Sequence, residues 1–310
     1  MKRREFIRSL AGVAVALSPA SLLGMTRSSP EQADEVQNAL LESGESAMWN
    51  GPDGRVLPLP DLPPRLRGKD LENYLHRLRA FNATHDGDVF LDAKRFDLLR
   101  SSLARLERIQ KTIGFGNFYL LSFDEAVHVA QTRTDVGPFT VEELDFLEQI
   151  FYERALLYGF FGEKPMKNLT DQIDRREVVK VPNSGNHLYR GKPLETYTLL
   201  RRRVGNKLVL TSGVRSVVKQ FMLFLSKIHE GNGNLSRASR SLAPPGYSYH
   251  GISDFDVGQI GYGQHNFTER FIESEVFKQL HAMGVLSLRY PRDNLTGVRF
   301  EPWHVKVDVS

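Results

Sequence analysis

The sequence predicts an α+β fold: an antiparallel sheet with flanking helices, preceded by a small helical region. Three observations carry this reading. Between residues 70 and 170, leucines, isoleucines and phenylalanines recur three to four positions apart, which is the helical period. From about Asp171 the pattern breaks into short alternating runs with two helical stretches among them. Strands and helices in that mixed order, without regular strand-helix alternation, favour an antiparallel sheet over a parallel one.

Taken in order, residues 1–24 read as an export signal. Lys2, Arg3 and Arg4 lead into Glu5, Phe6, Ile7 and Arg8, and an apolar run from Leu10 to Leu17 continues through Pro19 and Ala20 to Leu23. The run is shorter than the roughly 20 residues of a membrane span. The segment from Arg3 to Arg8 resembles a twin-arginine signal, a Sec signal or an uncleaved anchor being the alternative. The expected location is periplasmic or otherwise exported, with no membrane span once the signal is removed. Residues 25–69 are rich in Pro, Gly, Ser and acidic side chains, and Pro58–Arg65 reads as an extended linker.

The helical region, residues 70–170, contains one helix marked by Leu71, Leu75 and Leu78. A longer second helix is marked by Phe96, Leu99, Leu103, Leu106, Ile109 and Ile113. A third opens with Thr140 and Glu143 in capping-box register and runs toward Tyr158. The turn-like His85–Asp88 lacks the further ligands of a calcium loop. In the last unit, residues 171–310, strands are expected at 178–181, 207–210, 254–257, 286–290 and 303–309, and helices at 217–229 and 268–283.

Composition narrows the function. The chain has 310 residues, 41% hydrophobic and 25% charged, enough for two packed units. Its net charge is +4, and Lys2, Arg3, Arg4 and Arg8 against Glu5 account for most of that. No basic stripe interleaved with aromatics remains, so a nucleic-acid partner is not expected. The Arg201–Arg203 cluster reads as a solvated face. With no cysteine, disulfides and thiolate chemistry are excluded, and any metal must be held by histidine and carboxylate.

Three segments carry chemistry: Ser212–Gln220, Ala243–Gly258 and Glu301–His304. A hydrolytic zinc site needs three protein ligands and one open position. His250, an acidic residue shortly after it, and His304 meet that need. Asp254 and Asp256 share strand parity with His250, so either carboxylate could face the imidazole side. Glu301, three residues before His304, sits where a general base belongs. Arg215 offers a fork for a developing oxyanion or a substrate carboxylate, a surface ion pair being its other reading.

The same residues resemble the metallopeptidase family of VanY-type D-alanyl-D-alanine carboxypeptidases and VanX-type dipeptidases, related to LD-carboxypeptidases and certain phage endolysins. Ser212, Gly213, Arg215, Ser216 and Gln220 match its S-G-x-R-S-x-x-x-Q segment. Pro245, Gly246, Ser248 and His250 match P-G-x-S-x-H, and Glu301, Trp303 and His304 match E-x-W-H. One departure stands out. The family places its metal aspartate seven residues after the first histidine, whereas Asp256 follows His250 by six and Asp254 holds the small-residue position.

The resemblance implies a zinc DD-peptidase-like catalytic domain over residues 171–310. It implies Zn(II) on His250, Asp256 and His304, with Asp254 as the rival for Asp256. It also implies Glu301 as base, Arg215 as electrostatic stabiliser, and Ser248 and Gln220 at the substrate. The expected function is an exported zinc carboxypeptidase that removes D-alanine from peptidoglycan stem peptides. A metal-free peptidoglycan-binding protein, or an LD-carboxypeptidase or endopeptidase of the same fold, is the alternative. Of the remaining histidines, only His187, in the Val181–Tyr189 loop, has a cleft-lining role as one of its readings.

Overall fold

Asp92 starts the longest helix by accepting a hydrogen bond from the Arg95 amide, the N-cap arrangement that satisfies an otherwise orphaned donor. The computed structural model describes residues 48–50, 56–58 and 69–308. The predicted export signal and most of the predicted linker lie outside the described residues. Within the linker, strands β1 (Met48–Asn50) and β2 (Val56–Pro58) pair antiparallel.

Beyond it come helices α1 (Lys69–Arg79) and α2 (Ala93–Ile113), a short turn of helix α3 (Phe115–Phe118), α4 (Phe123–Thr132) and α5 (Val141–Tyr152). The expected Thr140–Glu143 capping box is present on α5. That helix stops at Tyr152 instead of reaching Tyr158: Glu153 turns extended, its carboxylate meets Arg95 of α2 at 2.9 Å, and a 3-10 turn follows at Ala155–Tyr158. Helix α4 was not expected. Its buried face is Phe123, Ala126 and Ala130, two of them alanines that contribute little hydrophobic periodicity. The Ser122–Glu125 capping box was its legible signal.

The remainder contains β3 (Val178–Lys180), β4 (His187–Tyr189), α6 (Lys192–Val204), β5 (Leu208–Ser212), α7 (Val217–Glu230), α8 (Leu235–Ser241), β6 (Phe255–Gln259), α9 (Glu275–Ala282) and β7 (His304–Val305). Helix α6 ends in Arg201, Arg202 and Arg203, cations that complement the negative end of the helix dipole. The expected helix at 268–283 is broken at Ser274, which caps α9 through its hydroxyl, with a 3-10 turn before it. The expected strand at 286–290 is not one: Leu288 makes a single bridge to Val305. Likewise 303–309 shortens to two residues.

An antiparallel sheet of order β5-β6-β7 forms the α+β centre. One face buries Leu208, Leu210, Phe255, Val257 and Val305 against Tyr197 and Leu200 of α6 and Val276, Phe277 and Leu280 of α9. Each such side chain contributes about 1.5–3 kcal/mol when fully buried. A second core packs α2, α4 and α5 against α7 and α8, so the helical region and the start of the last unit share apolar contacts. No helix among the described residues is long and apolar enough to cross a membrane.

A buried ion pair ties α8 to the segment before α2 at the edge of the second core. Arg240 of α8 donates to both oxygens of Asp88 (2.7 and 2.9 Å), and Asn234, the N-cap of α8, donates a third bond at 2.8 Å. Burial pushes the Asp88 carboxyl up, but Arg240, Asn234 and the His85 amide outweigh it and hold it down at about 2. The folded value lies below the unfolded one, so this contribution is complete above the ordinary carboxylate range and is lost as pH falls through about 2. Replacing Asp88 with alanine strands the buried guanidinium. Urea titration at neutral pH is expected to show a loss of about 3–5 kcal/mol, and a loss below 1 kcal/mol would contradict this role.

Candidate metal centre

The sheet register brings the site together. Asp256, on the central strand, is the cross-strand partner of Ser212 on β5 and of His304 on β7, and directly opposed side chains share a face. That face is opposite Phe255 and Val257. A bulge between Leu210 and Ser212 shifts the pairing of β5 and aims Ser212 toward the site.

His250 arrives from a 3-10 turn, Tyr249–Gly251. Its Nδ1 lies 2.8 Å from the Gly213 carbonyl, which assigns the proton to Nδ1 and leaves the Nε2 lone pair facing inward. Gly213 is required by close approach: a Cβ there would overlap the His187 carbonyl oxygen. Apart from that contact, His187 does not line the cavity.

Three atoms converge. Oδ1 of Asp256 lies 3.2 Å from Nε2 of His250 and 3.3 Å from Nδ1 of His304, and the three ligand atoms lie within 4.8 Å of one another. All three residues are buried. Glu301 Oε2 stands 3.4 Å from the same Nδ1. Asp254 is committed elsewhere. Its carboxylate takes Nε2 of His304 at 3.0 Å, the fork of Arg289 at 2.7 and 3.0 Å, and the Val307 amide at 2.9 Å. It therefore fixes the ring that presents Nδ1 to the cluster, the orienting contact that metal-bound histidines make. Arg289 in turn stacks over Tyr249 at 3.7 Å.

Arg215 closes the other side. Its Nη2 reaches Ser212 Oγ at 3.0 Å, His250 Nε2 at 3.0 Å and Asp256 Oδ2 at 3.2 Å, and its Nη1 reaches Gln220 at 3.2 Å. Gln220 is itself anchored to the Ala243 carbonyl. Ser216 caps α7 by accepting the Lys219 amide, which gives that serine a structural reason. Ser248 lines the cavity beside the cluster, as do Trp303, Tyr290, Lys219 and Arg299. The cavity holds about 450 Å3.

The donor set fits a divalent cation. Asp256 Oδ1 is buried without a hydrogen-bond partner, although it faces two imidazoles, and a buried unpaired carboxylate oxygen is costly. Three carboxylates (Asp254, Asp256, Glu301) face two guanidinium groups (Arg215, Arg289), and without a metal the third positive charge falls on His304, which touches all three. Burial alone would lower His304, yet Asp254, Glu301 and Asp256 raise it to about 9. Burial and then Arg215 lower His250, keeping it neutral. Burial opposes ionisation of Asp256, but His250, His304 and Arg215 hold its carboxyl below the ordinary range. His250, Asp256 and His304 are a hard-to-borderline nitrogen and oxygen set of the kind zinc takes in catalytic sites.

The sequence singled out Arg215, Gln220, Ser248, His250, Asp256, Glu301 and His304, and all seven line this one cavity. Sequence reasoning did not see the orienting role of Asp254, the Gly213 carbonyl, or Arg289. The last two belong to no residue-type pattern, since one is backbone and the other comes from a segment expected to be a strand.

The antiparallel sheet thus carries a buried His-Asp-His cluster beside a glutamate and an arginine. Residues 193–307 match the family model described as VanY: D-alanyl-D-alanine carboxypeptidase, so this part of the chain is similar to a VanY-type domain. No curated protein sequence matches the chain. Among solved structures, a similar one is the LdcB LD-carboxypeptidase, described for its peptidoglycan recognition, at 20% identity and a TM-score of 0.33, covering 39% of this chain and 59% of that one. Another is VanYB in complex with D-alanine-D-alanine, at 24% identity and a TM-score of 0.33, covering 42% of this chain and 76% of that one. The chain thus spans little more than half the length of the first.

Proposed function

We propose that the protein is an exported, zinc-dependent carboxypeptidase that removes the terminal D-alanine of peptidoglycan stem peptides. The observation that carries this reading is the convergence of His250 Nε2, Asp256 Oδ1 and His304 Nδ1 beside Glu301. His250, Asp256 and His304 hold the ion, and Asp254 orients His304. Zinc bound there supplies Lewis acidity toward water and the scissile carbonyl.

The chain's own residues do the rest. Glu301 accepts a proton from the attacking water and delivers it to the leaving amine, so that water and amide become carboxylic acid and amine. Arg215 places its guanidinium against the negative charge that develops on the carbonyl oxygen. Gln220 fixes the Arg215 fork, and Ser248 contacts the substrate from the cavity wall. Trp303, only 3% exposed, keeps water from the floor of the site. D-alanine as the leaving residue draws on the VanY match and on the predicted export. In this reading the helical region of residues 70–170 buttresses the catalytic domain of 171–310 through the shared core.

The test is mass spectrometry of stem peptides incubated with the protein, with and without chelator. The expected result is loss of one alanine mass from pentapeptides, abolished by chelator and restored by zinc. Unchanged peptides in the presence of zinc would contradict the proposal.

A further inference from the structure

Helix α7 opens with an electrostatic oddity. Lys219 is its third residue, in the first turn, where the helix dipole disfavours a cation. Its side chain is 7% exposed, and burial followed by the nearby charge of Arg215 lowers its ammonium to about 8. Among the described residues its Nζ makes no hydrogen bond and no ion pair. Its nearest recorded partners are the rings of Tyr119, 5.1 Å away, and Phe118, 5.9 Å away. Desolvation, the dipole and a like charge all oppose this lysine, and no acidic side chain offsets them.

A buried charge without a protein counter-charge is costly. It is accounted for when a ligand supplies the missing anion. Lys219 lines the same cavity as the His-Asp-His cluster, on the wall formed by α7, while Asp256 and Glu301 lie on the sheet side. Two other cations that line the cavity have partners elsewhere: Lys227 pairs with Glu230 at 2.6 Å, and Arg299 stacks over Trp303 at 4.8 Å. Lys219 thus faces the cavity that holds the His-Asp-His cluster with no acidic partner of its own among the described residues.

We propose that Lys219 is the anchor for the free α-carboxylate at the C-terminus of a bound peptide, and that it thereby makes the site an exopeptidase site instead of an endopeptidase one. The proposal rests on the peptidase reading and deepens it. An internal peptide segment has no charge to place against Lys219, so binding it leaves the ammonium unpaired. A chain that ends one residue beyond the scissile bond carries a carboxylate that can pair with Lys219 in the cavity. The aromatic rings beside Nζ set the direction of the ammonium without competing for its protons.

The test compares two probes, diacetylated L-lysyl-D-alanyl-D-alanine and its C-terminal carboxamide. Binding is measured by calorimetry on the full chain in chelator, and hydrolysis is measured separately with zinc. For the unaltered protein the acid is expected to bind about 10- to 100-fold more tightly than the amide, the discrimination of one charge-assisted hydrogen bond. In Lys219→Met the acid should weaken to the level of the amide, while the amide binds as before. In Lys219→Arg the preference for the acid should return. Thermal unfolding adds a readout that a structural lysine would not give: Lys219→Met should melt at or above the unaltered protein, because an uncompensated charge has been removed.

The outcomes separate the two ideas. Peptide hydrolysis with equal affinity for acid and amide overturns the anchor and leaves the peptidase reading intact. A Lys219-dependent preference for the acid without any hydrolysis supports the anchor and removes the peptidase reading. Failure of the unaltered protein to bind the acid, or a preference unchanged in Lys219→Met, also overturns the anchor.

Discussion

Glu301→Gln is expected to lower kcat by about 10²–10⁴-fold while leaving the metal content of the protein unchanged. The range is what a positioned general base contributes. Glu301 stands 3.4 Å from His304 Nδ1 and lines the cavity, yet it is not part of the three-atom cluster. Glutamine preserves its volume and its hydrogen-bonding reach but cannot take a proton. The check is the rate of D-alanine release, measured alongside zinc per chain on the same preparation. Loss of rate together with loss of zinc would make Glu301 a ligand. Retention of rate would place the base elsewhere.

Asp256→Asn is expected to have the largest effect on metal. Asp256 contributes the central ligand atom, 3.2 and 3.3 Å from the two imidazole nitrogens. It is also the counter-charge of buried Arg215. Asparagine keeps the shape and loses the charge that attracts a dication. Asp254→Asn acts one contact further out, by loosening the hold on His304 Nε2 and freeing Arg289. Outer contacts of that kind are worth about 10–100-fold in metal affinity. The expected order is therefore a loss beyond about 100-fold for Asp256→Asn and a loss within the 10–100-fold range for Asp254→Asn. Competition with a chromogenic chelator measures both, and the reverse order would exchange the roles of the two aspartates.

That pair of aspartates shows how far a sequence can be read. Strand parity put Asp254 and Asp256 on one face and went no further, because parity does not say which neighbour each residue meets. The register supplies the difference: Asp256 is paired with His304, while Asp254, at the strand's edge, meets Arg289 and Val307. Arg289 comes from 286–290, where an apolar alternation suggested a strand but only one bridge forms before Pro291. The long helices α2 and α7 were legible because leucine, isoleucine and phenylalanine repeat along their buried faces. Helix α4 was not, because alanines fill its contact face. Helix α6 was hidden by the arginine run that ends it. Lys219 stood inside a recognised motif without drawing notice, since its meaning depends on burial and on the absence of a partner.

The account stands on one cation held by His250, Asp256 and His304. Zinc-edge anomalous diffraction from crystals of the protein grown with zinc tests it most directly. The expected result is a single strong peak inside the cavity, in contact with His250 Nε2, Asp256 and His304 Nδ1 and adjacent to Glu301. A cavity without zinc density at that point, or zinc bound only by other residues, would contradict it.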